Sequence, residues 1–189
     1  MTVTPAPYDD VKAFRKESDE VYYTRAPLSV LRWDVIEFLK CRARENERLR
    51  CRLCTHANVA DPFQEMIVAH HRDSNFMPHR YRERTQSFKV LEGAADVLLF
   101  DETGGITEMF AAGEEAGAFY FRIPAVYYAF LVKTEWFIFL EAAAAAFDRS
   151  KVDWAPWAAS ERDVSSAREY RRVLTRRAQD FASARRAET

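Results

Sequence analysis

The chain has 189 residues, 48% hydrophobic and 14% aromatic, with a net charge of −1. That is enough apolar material for one domain with a core, and it excludes a disordered chain. A charge near zero provides no global field to gather nucleic acid or an anionic membrane, so neither is expected as a partner.

The opening stretch MTVTPAPYDD has no basic start and no apolar run, so no secretory signal is expected. No segment approaches the roughly 20 apolar residues needed to span a bilayer. A soluble, cytoplasmic protein is the expectation. Residues 1–27 carry prolines at positions 5, 7 and 27 and read as an N-terminal arm. Asp34 and Glu37 have capping-box spacing, and Ile36, Leu39 and Ala43 recur at helical intervals, which predicts a short helix over 35–46. From Arg48 the period changes to two. Arg48, Arg50 and Arg52 fall on one strand face, and Leu49, Cys51 and Leu53 on the other. The arginine row reads as a solvated edge. The three cysteines, Cys41, Cys51 and Cys54, suit reduced thiols. Cys51 and Cys54 form a C-x-x-C with His56 nearby, but no second ligand pair has zinc-site spacing, so they read as small apolar residues by a strand.

The middle of the chain is a succession of short β segments: QEMIVAHH, HRYRE, QSFKVLEG, ADVLLFD, ITEMFAA, GAFYFRIP, YYAFLVK and EWFIFLEA. A Gly-containing turn is expected between QSFKVLEG and ADVLLFD. Closely spaced strands without intervening helices predict an antiparallel sandwich or barrel. The run Ala142 to Ala146 is a helix former taken alone, but here it leaves a strand and reads as a small-residue lining. After 160 the period is helical again. Ser160 and Asp163 are a second capping-box pair. Val164, Ala167, Tyr170, Leu174, Ala178 and Phe181 make one apolar face, opposite Arg168, Arg171, Arg172, Arg176 and Arg177. That basic side reads as the solvated face of a helix packed on the domain or a partner. The organisation is an arm at 1–27, a β domain at 28–160 and a C-terminal helix at 161–189.

RLCTH, DPFQEM, HRDSNFMPHR, SFKVLEGAADVLLFDETG, GAFYFRIP and FDRSKVDWAPW, in that order, resemble the cupin superfamily, and specifically the small cupin metalloproteins of the WbuC family. The resemblance covers about residues 20–160. It implies a mainly β, cupin (jelly-roll) antiparallel barrel or sandwich and a homodimer joined through sheet edges; the short N-terminal helix and the amphipathic C-terminal one come from the residue pattern, and the helix after Val164 lies beyond the resemblance. The family's first motif is H-x-H, a Glu, six residues and a Gly. His79 and Gly93 match it, while Tyr81 and Gln86 stand where the second histidine and the glutamate belong. Aligned on RIPAVYYAF, Ala129 takes the place of a later histidine. In FLEAAAAAF, Leu140 replaces another histidine and Glu141 is kept. The resemblance therefore implies a degenerate metal site. Transition metals prefer imidazole, carboxylate or thiolate donors, and only His79 remains as a good one.

The expected site is thus an aromatic pocket without metal or cofactor. His79, Tyr81, Glu83 and Glu141 are the candidate catalytic groups. His79 and Glu83 share strand parity and could form an acid–base couple. Gln86, Phe88, Tyr127 or Tyr128, Ala129, Leu140 and Arg52 are the candidate substrate-binding residues. The expected function is metal-independent acid–base chemistry on a small molecule (isomerisation, cyclisation, dehydration or elimination) in bacterial specialised metabolism. A non-catalytic ligand-binding or partner-stabilising subunit and a metalloenzyme with atypical ligands are the alternatives.

Overall fold

A computed structural model describes residues 14–25, 28–113, 115, 117–161 and 163–187. In chain order the elements are β1 (Phe14–Lys16), β2 (Val21–Thr24), α1 (Asp34–Arg44), β3 (Arg50–Cys54), β4 (Phe63–His71), β5 (His79–Tyr81), β6 (Gln86–Phe100), β7 (Ile106–Gly113), β8 (Tyr120–Ile123), β9 (Tyr127–Ala144), β10 (Val152–Trp154) and α2 (Val164–Ala187). This is the mainly β, jelly-roll-type architecture expected, with one helix before most of the strands and one after.

The strands form one ten-stranded sheet, antiparallel except where β2 runs parallel to β3. β9 is its spine. Along one edge β9 pairs with almost the whole of β6; along the other it pairs with β4, through Trp136 to Ala144, and with β5 at Tyr128. β6 in turn carries β7 and β8 on its free edge. The chain reaches this pairing by a different local route from the one its sequence suggests. QSFKVLEG and ADVLLFD are one strand, not two joined by a turn, as are YYAFLVK and EWFIFLEA. The register of β6 on β9 slips between Val90 and Glu92 and again between Gly93 and Ala95. Bulges at these points bend both long strands together. Gly93 sits in the bend at φ +79°, and Thr134 Oγ1 accepts from the Ala94 amide at 2.9 Å.

Side chains alternate across the bent sheet. The inner face holds a core of rings: Phe130 has the rings of Phe76, Phe88, Phe121, Phe137 and Phe139 within 4.5–5.9 Å. The outer face is covered twice. Ile36 and Leu39 of α1 pack with Leu53, Ala69 and Ile138. Leu174 and Ala178 of α2 pack with Leu98, Ala129 and Leu131.

Several local expectations change. Part of the presumed arm, residues 14–24, is a β-ladder that joins the sheet beside β3; residues 1–13, 26 and 27 lie outside the described residues. Asp34 is not a cap: the N-cap is Trp33, and Asp34 Oδ1 is buried without a hydrogen bond. α2 is capped by Asp163, whose carboxylate accepts from the Ser166 amide at 3.1 Å. Its basic side is only partly solvated, since Arg171 reaches Asp73 at 2.9 Å and Arg177 donates to the Gly104 carbonyl. Ala142 to Ala144 continue β9 as strand. Cys51 and Cys54 are buried free thiols, pushed up by burial to about 12 and about 11, which leaves them inert. No helix of the described residues is long and apolar enough to cross a membrane.

Candidate functional site

On the inner side of the sheet, between β3, β4, β5, β9 and β10, lies a cavity of about 320 Å³. Its chemistry starts with His79. The residue opens β5, where the ladder to β9 places it opposite Tyr128 and the ladder to β10 places it opposite Trp154. Its ring lies 5.0–5.5 Å from those of Phe76, Tyr81, Tyr128 and Trp154. This cage lowers the imidazole pKa by burial, although the Met77 carbonyl opposes the shift. That carbonyl is 2.9 Å from Nδ1 and can only accept. Nδ1 therefore carries the hydrogen, and Nε2 of the neutral ring keeps a free lone pair.

Gln86 opens β6 and ties two other candidates together. Its Oε1 accepts from the Tyr128 hydroxyl at 3.0 Å, and its Nε2 donates to Glu141 Oε1 at 2.6 Å. Tyr128 is thus the tyrosine that faces inward. Its hydroxyl proton is committed to Gln86, and burial raises its pKa well above the ordinary phenol range. Tyr81 is pushed up to about 12, first by burial and then by the Glu141 charge, so it remains a neutral donor at physiological pH.

The structure separates other candidates from this cavity. Tyr127 points to the opposite face, under the Arg80 guanidinium at 4.1 Å and beside Trp157. Ala129 is fully buried against α2. Leu140 follows the outward parity of Ile138, and Phe88 is a core ring stacked at 5.0 Å on Phe121. Glu83 lies in the turn after β5, two-thirds exposed and paired with Lys151, so it forms no couple with His79. What remains together is His79, Tyr81, Gln86, Tyr128 and Glu141, with Arg52 at the open side.

Sequence reasoning missed His70 and the rim of the cavity. His70 shares inward parity with Met66 and Val68 on β4, so alternation groups it with them, although it does not say which way that face turns. It stacks on Phe139 at 5.9 Å, and its Nδ1 is 2.9 Å from Ser74 Oγ. Burial, with Arg50 and Arg48 behind it, holds its pKa well below the ordinary value. At the rim, Arg48 and Arg50 each reach both Glu20 and Glu161, closing a quartet of two cations and two anions. The arginine row is therefore not an edge: β3 is paired on both sides, and Arg50 is only 19% exposed.

The donor set does not fit the metal centre that the cupin resemblance implies. Tyr81 is held neutral, Gln86 has both ends of its amide engaged, Glu141 is taken by Gln86, and Ala129 and Leu140 lie on the other face. Among the described residues, no three His, Cys, Asp or Glu groups are placed to share an ion. The Tyr128–Gln86–Glu141 chain instead behaves as a rigid polar floor. Tyr128→Phe leaves Gln86 Oε1 without its donor and is expected to cost about 1–2 kcal/mol in urea unfolding. An unchanged midpoint would show that the hydroxyl is satisfied elsewhere.

A family model described as a domain of unknown function (DUF6016) matches residues 31–112. No curated protein matches. Solved structures resemble the chain over about half its length. Procruciferin, the 11S globulin of Brassica napus, is 14% identical over 45% of this chain and 21% of its own, with a TM-score of 0.39. The cupin domain of Schizosaccharomyces pombe Cnp3 is 15% identical over 53% of this chain and 63% of its own, with a TM-score of 0.42. KdgF from Halomonas sp. is 15% identical over 53% of this chain and 84% of its own, with a TM-score of 0.43. The chain thus spans about a fifth of the length of the first of these and under two thirds of the second.

Proposed function

We propose that this chain is a cupin-type, WbuC-like protein with a degenerate metal site, which moves protons on a small organic substrate using its own side chains. One observation carries the reading: a caged, neutral His79 with Nε2 unengaged lines the same cavity as the neutral hydroxyl of Tyr81. In the proposed step, Nε2 takes a proton from a carbon next to a carbonyl or carboxyl group. The electron pair left behind moves onto that group's oxygen, which accepts a hydrogen bond from Tyr81. Return of the proton to a different carbon isomerises the substrate. Loss of a leaving group from the next carbon completes an elimination or dehydration. Glu141 and Gln86 are positioning residues in this scheme, and Tyr128 is a wall. A second reading, a non-catalytic ligand-binding or partner-stabilising subunit, is favoured by the Tyr128–Gln86–Glu141 chain, whose polar groups satisfy one another.

The test is deuterium uptake at acidic C–H positions of a panel of small ketones and carboxylates in D2O, followed by proton NMR. Uptake catalysed by the wild type should fall by more than tenfold in His79→Gln. Because burial lowers the His79 pKa below its ordinary value, the neutral base predominates at pH 7, and the rate should fall on acidification through that lowered value. Ligands that bind without any His79-dependent exchange would favour the second reading. Stoichiometric iron, zinc, nickel or manganese in protein purified without a histidine tag would overturn both.

A further inference from the structure

The charges lining the cavity do not all cancel. Arg48, Arg50, Glu20 and Glu161 neutralise one another in the rim quartet. Glu141 is bound to Gln86 at the floor. Arg52 and Arg149 also line the cavity, both on its exposed side, and neither guanidinium has an ion pair or side-chain hydrogen bond among the described residues. The walls carry the flat rings of Phe76, Phe139, Tyr81 and Trp154, together with those of His70 and His79.

We propose that this cavity selects an organic anion, a carboxylate or phosphate monoester on a flat apolar body, with Arg52 and Arg149 as the anion-reading pair. The inference rests on the reading of the cavity as a small-molecule site and names its substrate class. A guanidinium offers a planar fork of donors that matches both anions, and such charge-assisted bonds are about twice as strong as neutral ones. The polarity of the cavity also sets the ligand's orientation. The Glu141 carboxylate repels an anion from the floor, so the anionic head stays at the mouth and the uncharged body enters first. That places carbons of the body, not the head, beside the imidazole of His79. A volume of about 320 Å³ is at the lower end of pockets that take small organic ligands.

The experiment is calorimetric titration at low salt with 3-phenylpropionate, phenyl phosphate and 3-phenylpropionamide. The two anions should bind at least about tenfold more tightly than the amide. R52Q and R149Q should each weaken the anions, and the double variant should remove their advantage while leaving the amide unchanged. Arg172→Gln, on the exposed side of α2, should alter nothing, and thermal melts of each variant report folding. The ratio of carboxylate to phosphate affinity tells which head group is preferred. Equal binding of amide and anions would overturn the inference while leaving a small-molecule cavity in place. Anion binding that survives the double variant would overturn it by locating the anion elsewhere. No binding of any probe would overturn both this inference and the reading beneath it. Since the readout is binding alone, failure of the deuterium experiment does not touch it.

Discussion

Gly93→Ala should destabilise the protein by about 3–5 kcal/mol, a large share of the stability of an ordinary domain. Two costs combine. The residue sits at φ +79°, a conformation that costs an L side chain about 1–3 kcal/mol. A Cβ there would also overlap the carbonyl oxygen of Trp136 and meet Thr134 Oγ1. Neither neighbour can yield easily. Trp136 is backbone of β9, paired with His71 at the end of the β4 ladder and next to the Gly93–Phe137 pair of the β6 ladder, and Thr134 Oγ1 serves the Ala94 amide. Gly117→Ala separates the two terms. Its φ is +100°, but a Cβ there would meet nothing within 4 Å, so only the conformational cost applies. Urea midpoints for the two variants should differ by more than 1 M, given a typical slope of about 1–3 kcal/mol per molar. Similar midpoints would mean that the bend at Gly93 can relax, and that it is not what fixes the β6–β9 pairing.

Gly93 also shows how much the sequence could say. Its place in a cupin-like motif marked a glycine that the backbone requires, but the motif could not tell a turn from a bulge inside one long strand. Alternation within six or seven residues fixed which side chains share a face; it could not fix which face turns inward. That is why Tyr127 and Tyr128 stayed open, and why Ala129, Leu140 and Phe88 went to the wrong side or the wrong layer. His79, Tyr81, Gln86 and Glu141 came out together because a motif held their order. His70 carried the same alternating signal without a motif. The rim quartet carried no signal: Arg50 and Glu161 are 111 residues apart, and only the closed fold brings them together.

Glu161→Ala should cost about 3 kcal/mol, more than an ordinary surface ion pair. The Glu161 side chain is 13% exposed and that of Arg50 19%, so removing the carboxylate leaves a mostly buried guanidinium with Glu20 alone, at 2.8 Å. Burial by itself would push the Glu161 carboxyl up, but Arg50 and Arg48 outweigh it, and the group titrates below the usual carboxylate value. A carboxyl whose folded pKa is depressed stabilises the fold above its unfolded value, near 4.3, and loses that contribution as pH falls through the folded value. The gap between wild type and E161Q should therefore be full at pH 7 and close progressively below about pH 4. Urea unfolding at pH 7 and pH 3.5 checks this, and an equal gap at both would mean that the glutamate acts by packing and not by charge. The quartet also joins the β1–β2 ladder, β3 and the segment leading into α2 around the cavity mouth. Loss of Glu161 leaves Arg48 and Arg50 sharing Glu20 alone, which adds one uncompensated cation to Arg52 and Arg149. E161Q should then bind 3-phenylpropionate at least as tightly as the wild type while being less stable, a divergence that simple loosening of the fold would not produce.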